Sequence, residues 1–439
     1  MDLTRKSPYL IEIIASSGLF DSAYYSNRSG IGGLDEKELI ENFLDKSPEK
    51  ASDPGPLFSS VAYLKMNPDV ASSGLNPLVH YIKFGMPEGR PGFSAEKCRE
   101  FFAGARDNRI IGLSHILPPY KKIKVLYTEE GNFFFSDIAT YTAEFLRGLG
   151  WDAAVVSDRD PAALQQDGSI DLVVAPHEFM VIGGGQAWSE RRRRNAAYFN
   201  TEQWQTTWFS KCFALLQDSR LGVLDLNAAS VAAFRELNIR AAFLPLLPLK
   251  GTAFEQQKAS VSRAFSRRKA IALLEHPEKA ASRHYDVLFV AVMNKRREKK
   301  LAKLAPSLAQ FRSFLHCPVL DRPVRRGNPD MLSGRDFTQL ALNSKILLNI
   351  HRDEVGYFEW HRLFLYGVMN GCVVVTEPSF KPPILAEGEH YIEAPINEIP
   401  DLLMELLTTE QGAARLQEIS SNGFALAERV AHGERFVEQ

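Results

Sequence analysis

Residues 346–378 read ILLNIHRDEVGYFEWHRLFLYGVMNGCVVVTEP, and this stretch decides the fold class. The apolar run Ile346–Ile350 predicts a buried strand, and helical spacing follows over His361–Asn370. Gly371 separates that helix from a second apolar run, Cys372–Thr376. Two buried strands joined by a helix are typical of a parallel sheet with helices on both faces, so the stretch predicts a Rossmann-like α/β domain.

The alternation of strands and helices extends from here towards both ends of the chain. Apolar runs predict further strands at Lys124–Thr128, Ala153–Ser157, Asp171–Ala175, Ala196–Asn200, Gly222–Leu226, Ala241–Leu246, Asp286–Val292 and Ser313–Leu315. Helical spacing predicts helices at Ser136–Gly150, Lys295–Leu304, Gly334–Ser344, Ile399–Leu407 and Gly412–Glu428. The expected architecture is two Rossmann-like α/β domains, residues 121–250 and 285–430, facing each other across a cleft and joined by a linker at 251–284.

The first 110 residues have a different pattern, which predicts a small, mainly helical module. A shift of 38 positions aligns Leu19–Phe20 with Leu57–Phe58, Tyr25 with Tyr63 and Phe43 with Tyr81, which indicates two degenerate copies. The second copy resembles the "NPDV…G…NPL.HY…G..EGR.P" module attached to many bacterial polysaccharide-synthesis enzymes. A packing role and a role in docking or positioning an acceptor are both compatible with this pattern.

Composition narrows the function class. The formal net charge is −1, so no strong field attracts a polyanion, and we expect no nucleic-acid partner. The four cysteines form no CxxC pair, which fits a reducing cytoplasm. Glu12 interrupts the apolar stretch near the N-terminus, which argues against a signal peptide, and no apolar run is long enough for a membrane span. A cytoplasmic location is expected, and peripheral attachment at the inner face of the membrane stays open.

The segment after the strand Asp286–Val292 is the first candidate for anion binding. Asn294, Lys295 and Arg296 lie at the start of a basic helix, where backbone N–H groups, the helix dipole and cationic side chains favour a diphosphate. No Walker or dinucleotide fingerprint occurs in this segment. A simple solvated basic face explains the same residues equally well.

The second candidate site follows the strand Ile346–Ile350. His361 and Arg362 at a helix start can hold a phosphate, and Glu377 after the next strand can bind a ribose or sugar hydroxyl. The alternative is that His361 and Arg362 are surface residues of an amphipathic helix.

The residues of this C-terminal half resemble a known enzyme family. The pattern "LNIHR … E.HR.F … G.VVV.EP" is similar to the donor half of GT-B bacterial capsule, O-antigen and spore-coat (CgeB-like) glycosyltransferases. The resemblance implies that a nucleotide sugar faces Asn349, His351, Glu359, His361, Arg362 and Glu377. Retaining GT-B enzymes carry an E-x7-E pattern that here falls on Phe358 and Tyr366, so retaining chemistry is not implied.

Acceptor-side groups are expected after the strands of the N-terminal half. An inverting transferase needs a base for the acceptor hydroxyl, and the candidates are Glu130, His177, Glu178 and Glu202. His177 and Glu178 are favoured because they directly follow a continuous apolar strand, although each is as compatible with a structural role. Asp158-Arg159-Asp160 is assigned to a loop, so no metal or other cofactor is expected.

These observations predict a metal-independent glycosyltransferase of bacterial surface polysaccharide synthesis. Its partners would be a nucleotide-sugar donor and a glycan or lipid-linked glycan acceptor. Two alternatives stay open: a nucleotide-sugar epimerase or hydrolase on the same fold, and a non-catalytic glycan-binding scaffold.

Overall fold

The computed structural model describes residues 7–47, 52–105, 112–161, 165–246, 283–319, 324 and 331–431. Residues 251–282 of the predicted linker lie outside the described residues. The chain forms two compact units: the first comprises Met1–Asp107, Glu202–Asp218 and Ala232–Ile239, and the second comprises Asn108–Thr201, Ser219–Val231 and Arg240–Gln439. Both β-sheets belong to the second unit.

The first sheet has six parallel strands in the order β2-β1-β3-β4-β5-β6. The strand bounds are β1 Ile123–Tyr127, β2 Ala153–Ser157, β3 Ile170–Val174, β4 Ala197–Asn200, β5 Gly222–Asp225 and β6 Ala241–Phe243. All six strands predicted for this half are confirmed, with slightly different ends. Because the order reverses between β1 and β3, the crevice at the carboxyl ends of these two strands is the expected ligand position.

The second sheet has five parallel strands in the order β11-β10-β9-β7-β8. The bounds are β7 Tyr285–Val290, β8 Ser313–His316, β9 Ser344–Asn349, β10 Val373–Thr376 and β11 Tyr391–Glu393. Four of these strands are confirmed predictions. The fifth, β11, was missed because it has only three residues and shows no apolar run. The two sheets confirm the prediction of two Rossmann-like α/β domains.

Both faces of the second sheet are buried, which explains its near-continuous apolar strands. Leu347 of β9 faces one core together with Leu288 and Val374. Its neighbours Ile346 and Leu348 face the opposite core. Residues of the first sheet, among them Val125 and Leu172, also belong to the core of Leu347.

Helices connect the strands and cover the sheets. In the first unit the α-helices are Pro8–Ser16, Ser22–Ser29, Glu36–Asp45, Ser60–Met66, Pro68–Ser73, Pro77–His80, Met86–Glu88, Ala95–Gly104 and Thr207–Asp218, with a π-helical turn at Tyr81–Gly85. In the second unit they are Phe134–Gly148, Pro176–Phe179, Glu190–Arg194, Lys295–Leu308, Gly334–Leu342, Trp360–Arg362, Ile399–Thr408 and Glu410–Ala431. The helix Ala228–Glu236 spans the boundary of the units, and 3₁₀ turns lie at Leu113–His115 and Gly184–Ala187.

The predicted helix His361–Asn370 is present in an irregular form. It begins as α-helix at Trp360–Arg362, continues as a π-helical turn at Leu363–Gly367 and ends as a 3₁₀ turn at Val368–Asn370. Gly371 ends it with φ +64°, a backbone conformation that favours glycine. The π-helical turn rotates the side chains after Arg362 away from the positions that regular helical spacing predicts.

Two equivalent aromatic triads lie in the first unit. Phe20, Tyr25 and Phe43 have ring centroids 5.2–5.8 Å apart. Residues 38 positions later form the second triad, Phe58, Tyr63 and Tyr81, with centroids 5.3–5.6 Å apart. Each tyrosine hydroxyl also bonds a side chain 17 residues on, Asn42 for Tyr25 at 3.0 Å and His80 for Tyr63 at 3.0 Å. Aligned residues of the two copies therefore have equivalent packing partners.

Polar residues of the second copy are hydrogen-bonded to one another through Arg90. Arg90 donates to both oxygens of Asp69 at 2.7 and 2.9 Å, to Asn67 Oδ1 at 3.2 Å and to Glu88 at 2.6 Å. These bonds join the Asn67-Pro68-Asp69 segment to the Glu88-Gly89-Arg90 segment within the second copy.

The helix between β4 and β5, Thr207–Asp218, belongs to the same compact unit as the N-terminal module. Ser210 Oγ accepts from Tyr81 Oη at 3.3 Å and from Gly92 N at 3.4 Å. Trp204 is fully buried among rings from both parts of the chain, with Phe102 at 5.2 Å and Phe209 at 5.0 Å. The compact unit therefore differs from the sequence-predicted segment 1–110, because it includes part of the segment predicted for the first Rossmann-like domain.

Candidate functional site

The strand order of the second sheet also reverses, between β7 and β9, and places a second ligand crevice at their carboxyl ends. Asn294 follows β7 and caps the helix Lys295–Leu308 by accepting from Arg297 N at 2.8 Å. His351 follows β9, and Glu377 follows β10. The structure thus brings the two segments predicted for donor binding to one edge of the sheet.

Arg296 links these segments, and all five of its N–H groups are used. Nη1 and Nη2 donate to the two oxygens of Glu377 at 2.8 and 2.9 Å. Nη1 also donates to the His351 carbonyl at 2.8 Å. Nε and Nη2 donate to the two oxygens of Glu354 at 2.9 and 3.2 Å. Burial opposes the charge on Arg296, but Glu377 and Glu354 outweigh it and raise its pKa.

A second arginine network lies deeper. Glu359 accepts from Arg297 Nη2 at 3.2 Å and from Arg362 Nε at 2.8 Å. Burial opposes ionisation of Glu359, but the charges of Arg362 and Arg297 outweigh it and lower its pKa to about 2. Burial also lowers the pKa of Arg297 to about 10. The half-buried Glu359 carboxylate is thus ionised at neutral pH and paired with two arginines within the protein.

Arg362 is buried, and each of its guanidinium nitrogens has a protein acceptor. Nη1 donates to the Val290 carbonyl at 2.7 Å, and Nη2 donates to Asn349 Oδ1. Asn349 in turn donates to Thr376 Oγ1 at 2.8 Å. Arg362 and Asn349, both predicted to face a nucleotide sugar, therefore connect β7, β9 and β10 below the crevice.

The two predicted histidines differ in environment. His351 is buried, and its Nε2 lies 3.1 Å from the carbonyl oxygens of both Glu377 and Pro378, which fixes the turn that presents Glu377. Burial lowers the pKa of His351. His361 is partly exposed, and burial lowers its pKa to about 4. Both rings are therefore neutral at pH 7.

Lys295, one residue after the capping Asn294, is exposed at this edge, and so is Arg352 in the loop after β9. Lys300 lies 3.9 Å from Glu377 one turn further along the helix. Glu354, which the sequence analysis missed, belongs to the same cluster through Arg296. Its position in the Asp353-Glu354 pair directly after β9 was the available signal, but an acidic pair in a loop does not reveal its partner.

At the crevice of the first sheet, Glu178 contacts Asn132. Asn132 N donates to Glu178 Oε2 at 2.7 Å, and Asn132 Nδ2 donates to Oε1. A Cβ at Gly131 would overlap Glu178 Oε2, so this glycine is required for the approach. Asn132 Oδ1 accepts from Val324 N at 2.8 Å, a residue of the second α/β half. Glu178 therefore fixes the loop after β1 to a segment after β8.

The other predicted acceptor-side residues occupy three different environments. His177 is buried with its ring 5.5 Å from that of Phe135, and burial lowers its pKa to about 3. Glu130 lies in the loop after β1 with its side chain 38% exposed, paired with Arg159 at 2.9 Å. Glu202 belongs to the first compact unit and accepts from Gln203 N at 3.0 Å. Within the second unit, the structure brings His177, Glu178 and Glu130 to the switch point of the first sheet and places Glu202 in the other unit.

The Asp-Arg-Asp sequence lies in a turn after β2, as predicted. Asp158 accepts from Thr128 Oγ1 at 2.6 Å, from Glu129 N at 3.1 Å and from Gly184 N at 3.0 Å. Its carboxylate thus joins the loops after β1 and β3. Among the residues that the structure describes, no group of three or more His, Cys, Asp or Glu side chains is placed to hold a metal ion.

Two further polar groups were missed. Asp225, at the end of β5, accepts from Asn200 Nδ2 at 2.8 Å and from Ser230 Oγ at 2.7 Å, and burial raises its pKa to about 7. Tyr366 bonds Tyr141 of the first α/β half and stacks on Phe337 with centroids 4.8 Å apart. Tyr366 is the position at which the E-x7-E pattern has its second glutamate, so a contact between the two α/β halves occupies it.

No helix in the described part of the chain is long and apolar enough to cross a membrane. The sequence matches no protein-family profile and no curated protein. Among solved structures, phage T4 BGT in complex with UDP and Mn²⁺ is 12% identical with a TM-score of 0.42, covering 71% of this chain and 95% of that one. Anabaena HepE in complex with UDP and glucose is 11% identical with a TM-score of 0.44, covering 71% and 95%. An α1,3-fucosyltransferase is 8% identical with a TM-score of 0.34, covering 79% and 98%.

Proposed function

We propose that this protein is a GT-B-type glycosyltransferase that transfers a sugar from a nucleotide-sugar donor to a glycan or lipid-linked glycan. The observation that carries the proposal is the N-terminus of the helix Lys295–Leu308 at the switch point of the second sheet, with Lys295 exposed beside the outer edge of Arg296. A helix N-terminus with cationic side chains at the carboxyl ends of parallel strands favours an anionic ligand, whereas Arg297 and Arg362 bond protein acceptors below it.

The donor would bind at the second sheet and the acceptor at the first. Lys295 is exposed and Arg296 is the most exposed of the three arginines, so these two side chains would contact the diphosphate. Glu377, held in place by Arg296 and His351 N, would lie beside the ribose or sugar hydroxyls. Neutralisation by side chains and the helix end would assist departure of the nucleotide diphosphate without a metal ion.

The acceptor base is proposed among the predicted residues of the first sheet. The Glu130 carboxylate is 38% exposed and pairs with the exposed Arg159, whereas the buried Glu178 accepts two hydrogen bonds from Asn132. A neutral His177 is able to accept a proton, but its burial makes it a weak base. We therefore favour Glu130, with Glu202 retained as a candidate outside this unit.

A binding experiment tests the donor site. Thermal unfolding is followed with UDP, GDP, TDP, CMP, ADP and their sugar conjugates, for the wild type and for Lys295→Ala. A nucleotide at about a hundred times its dissociation constant stabilises the folded state by about 3 kcal/mol, which is a measurable shift. One nucleotide that shifts the wild type and shifts Lys295→Ala less supports the proposal. No shift with any member of the panel contradicts it.

Turnover separates transfer from the two alternatives. With the bound donor and a panel of glycans, transfer supports the proposal, and transfer that persists in EDTA supports metal independence. Product formation from the donor alone supports an epimerase or hydrolase. The two hydrogen bonds that occupy Glu178 favour a non-catalytic glycan-binding scaffold as second candidate, which binding without turnover would support. Sedimentation with vesicles tests the proposed peripheral membrane association, and cell fractionation tests a cytoplasmic role in surface polysaccharide synthesis.

A further inference from the structure

The anion-binding edge of Arg296 already holds an anion from the protein itself. Glu354 accepts from Nε and Nη2, which is the side-on, two-point contact that a phosphate group also makes with arginine. Because all five N–H groups of Arg296 are used, a ligand phosphate binds this guanidinium only if one acceptor leaves.

The three acceptors of Arg296 differ in how easily they leave. The Glu377 side chain is 8% exposed and Glu354 is 62% exposed, and the third acceptor is the carbonyl of the buried His351. An exposed carboxylate is rehydrated when it dissociates, whereas a buried one loses its partner without compensation. Glu354 is therefore the acceptor that an incoming anion displaces.

A second bond holds the same loop over the helix end. Asn294, the capping residue of the helix Lys295–Leu308, donates from Nδ2 to the Arg352 carbonyl at 2.6 Å. The loop after β9 is thus attached to the helix N-terminus at two points, through Arg352 and Glu354. The loop after β9 therefore covers both the positive end of that helix and Arg296.

We propose that Glu354 is an internal competitor for the donor's phosphate, which occupies the outer edge of Arg296 in the ligand-free protein and leaves when a diphosphate binds. This inference rests on the proposed donor site and adds a residue that sets its affinity. Glu354 would act on the ligand through Arg296, as a residue that sets affinity. Glu354 therefore weakens diphosphate binding, whereas a cationic residue that contacts the phosphate strengthens it.

Isothermal titration of the full chain tests this with three probes: UDP, inorganic pyrophosphate and uridine. Glu354→Gln keeps the size of the side chain and removes its charge. Glu298→Gln is the matched control, since Glu298 is an exposed acid in the first turn of the same helix with no bond to Arg296 in the structure. We expect Glu354→Gln to bind UDP and pyrophosphate about two- to fivefold more tightly than the wild type, with uridine unchanged.

Each outcome has a defined meaning. Equal or weaker pyrophosphate binding by Glu354→Gln overturns the inference, and so does an equal gain in Glu298→Gln, which would indicate general charge removal. An absence of pyrophosphate binding in all three proteins also overturns it. Tighter pyrophosphate binding without any nucleotide binding supports the inference and contradicts the proposed function. Nucleotide binding and sugar transfer with no change in Glu354→Gln support the function and overturn the inference.

Discussion

The Glu178 carboxylate accepts the backbone N–H of Asn132 at 2.7 Å and, on its other oxygen, the Asn132 side-chain amide. Both residues lie at the switch point of the first sheet, one after β3 and one after β1. Since Asn132 also accepts from Val324 N, this contact joins the two α/β halves. Glu178 therefore holds a loop in place.

Glu178→Gln tests that role. A glutamine has one acceptor oxygen, so its amide group would face an N–H donor of Asn132. We expect the free energy of unfolding to fall by about 1–3 kcal/mol. Urea unfolding measures this, and Glu130→Gln, at an exposed ion pair, should change stability by less than about 1 kcal/mol. Lost activity in Glu178→Gln with unchanged stability would instead identify a purely catalytic residue.

The deep arginine network makes a second prediction. Arg362→Ala removes a charge partner of Glu359 and leaves Asn349 and the Val290 carbonyl with one donor fewer. Breaking such a buried pair costs about 3–5 kcal/mol. Lys295→Ala, at the exposed end of the same site, should stay within about 0.5 kcal/mol of the wild type and weaken nucleotide binding. Differential scanning fluorimetry with and without nucleotide measures both, and equal stability of the two variants would contradict the structural role of Arg362.

A third prediction concerns Gly371. A Cβ there would overlap the Phe424 ring and lie 2.6 Å from Arg283 Nη2, on a backbone with φ +64°. Overpacking and backbone strain together predict a loss of about 2–4 kcal/mol for Gly371→Ala. Gly104→Ala is the control, since nothing lies within 4 Å of its added Cβ and Gly104 ends a helix. Similar unfolding midpoints for the two variants would refute the close packing.

The buried His177 predicts a dependence of stability on pH. Its folded pKa of about 3 lies below the unfolded value of about 6.5, so the unfolded state takes up a proton first as the pH falls. Stability is therefore lost between about pH 6.5 and pH 3, and by pH 5 this amounts to about 2 kcal/mol. His177→Gln, which does not titrate, should lose less stability between pH 7 and pH 5. Parallel pH profiles of the two proteins would contradict this.

Secondary structure was predictable here because buried parallel strands are continuous apolar runs. The runs ending at Asn200 and Thr376 needed no tertiary information, whereas the three residues of β11 had too little pattern. The sequence predicted which strand ends carry the polar site residues, but it did not predict which groups those side chains contact. The sequence places Arg362 near Glu359, but whether a guanidinium faces a ligand or a carboxylate depends on the packing of β7, β9 and β10. The π-helical turn Leu363–Gly367 adds a rotation that regular spacing does not reveal.

The aromatic core around Trp204 has a consequence for synthesis on the ribosome. The helices of the module are synthesised before the rings that complete their core. These rings are Trp204, Phe209, Phe213 and Phe234, more than a hundred residues later than Phe93 and Phe102. The nascent module therefore exposes apolar surface until the chain has been translated past β5. The first hundred residues are therefore unsuitable for fusion to another protein, because their core is completed by segments encoded more than a hundred residues later.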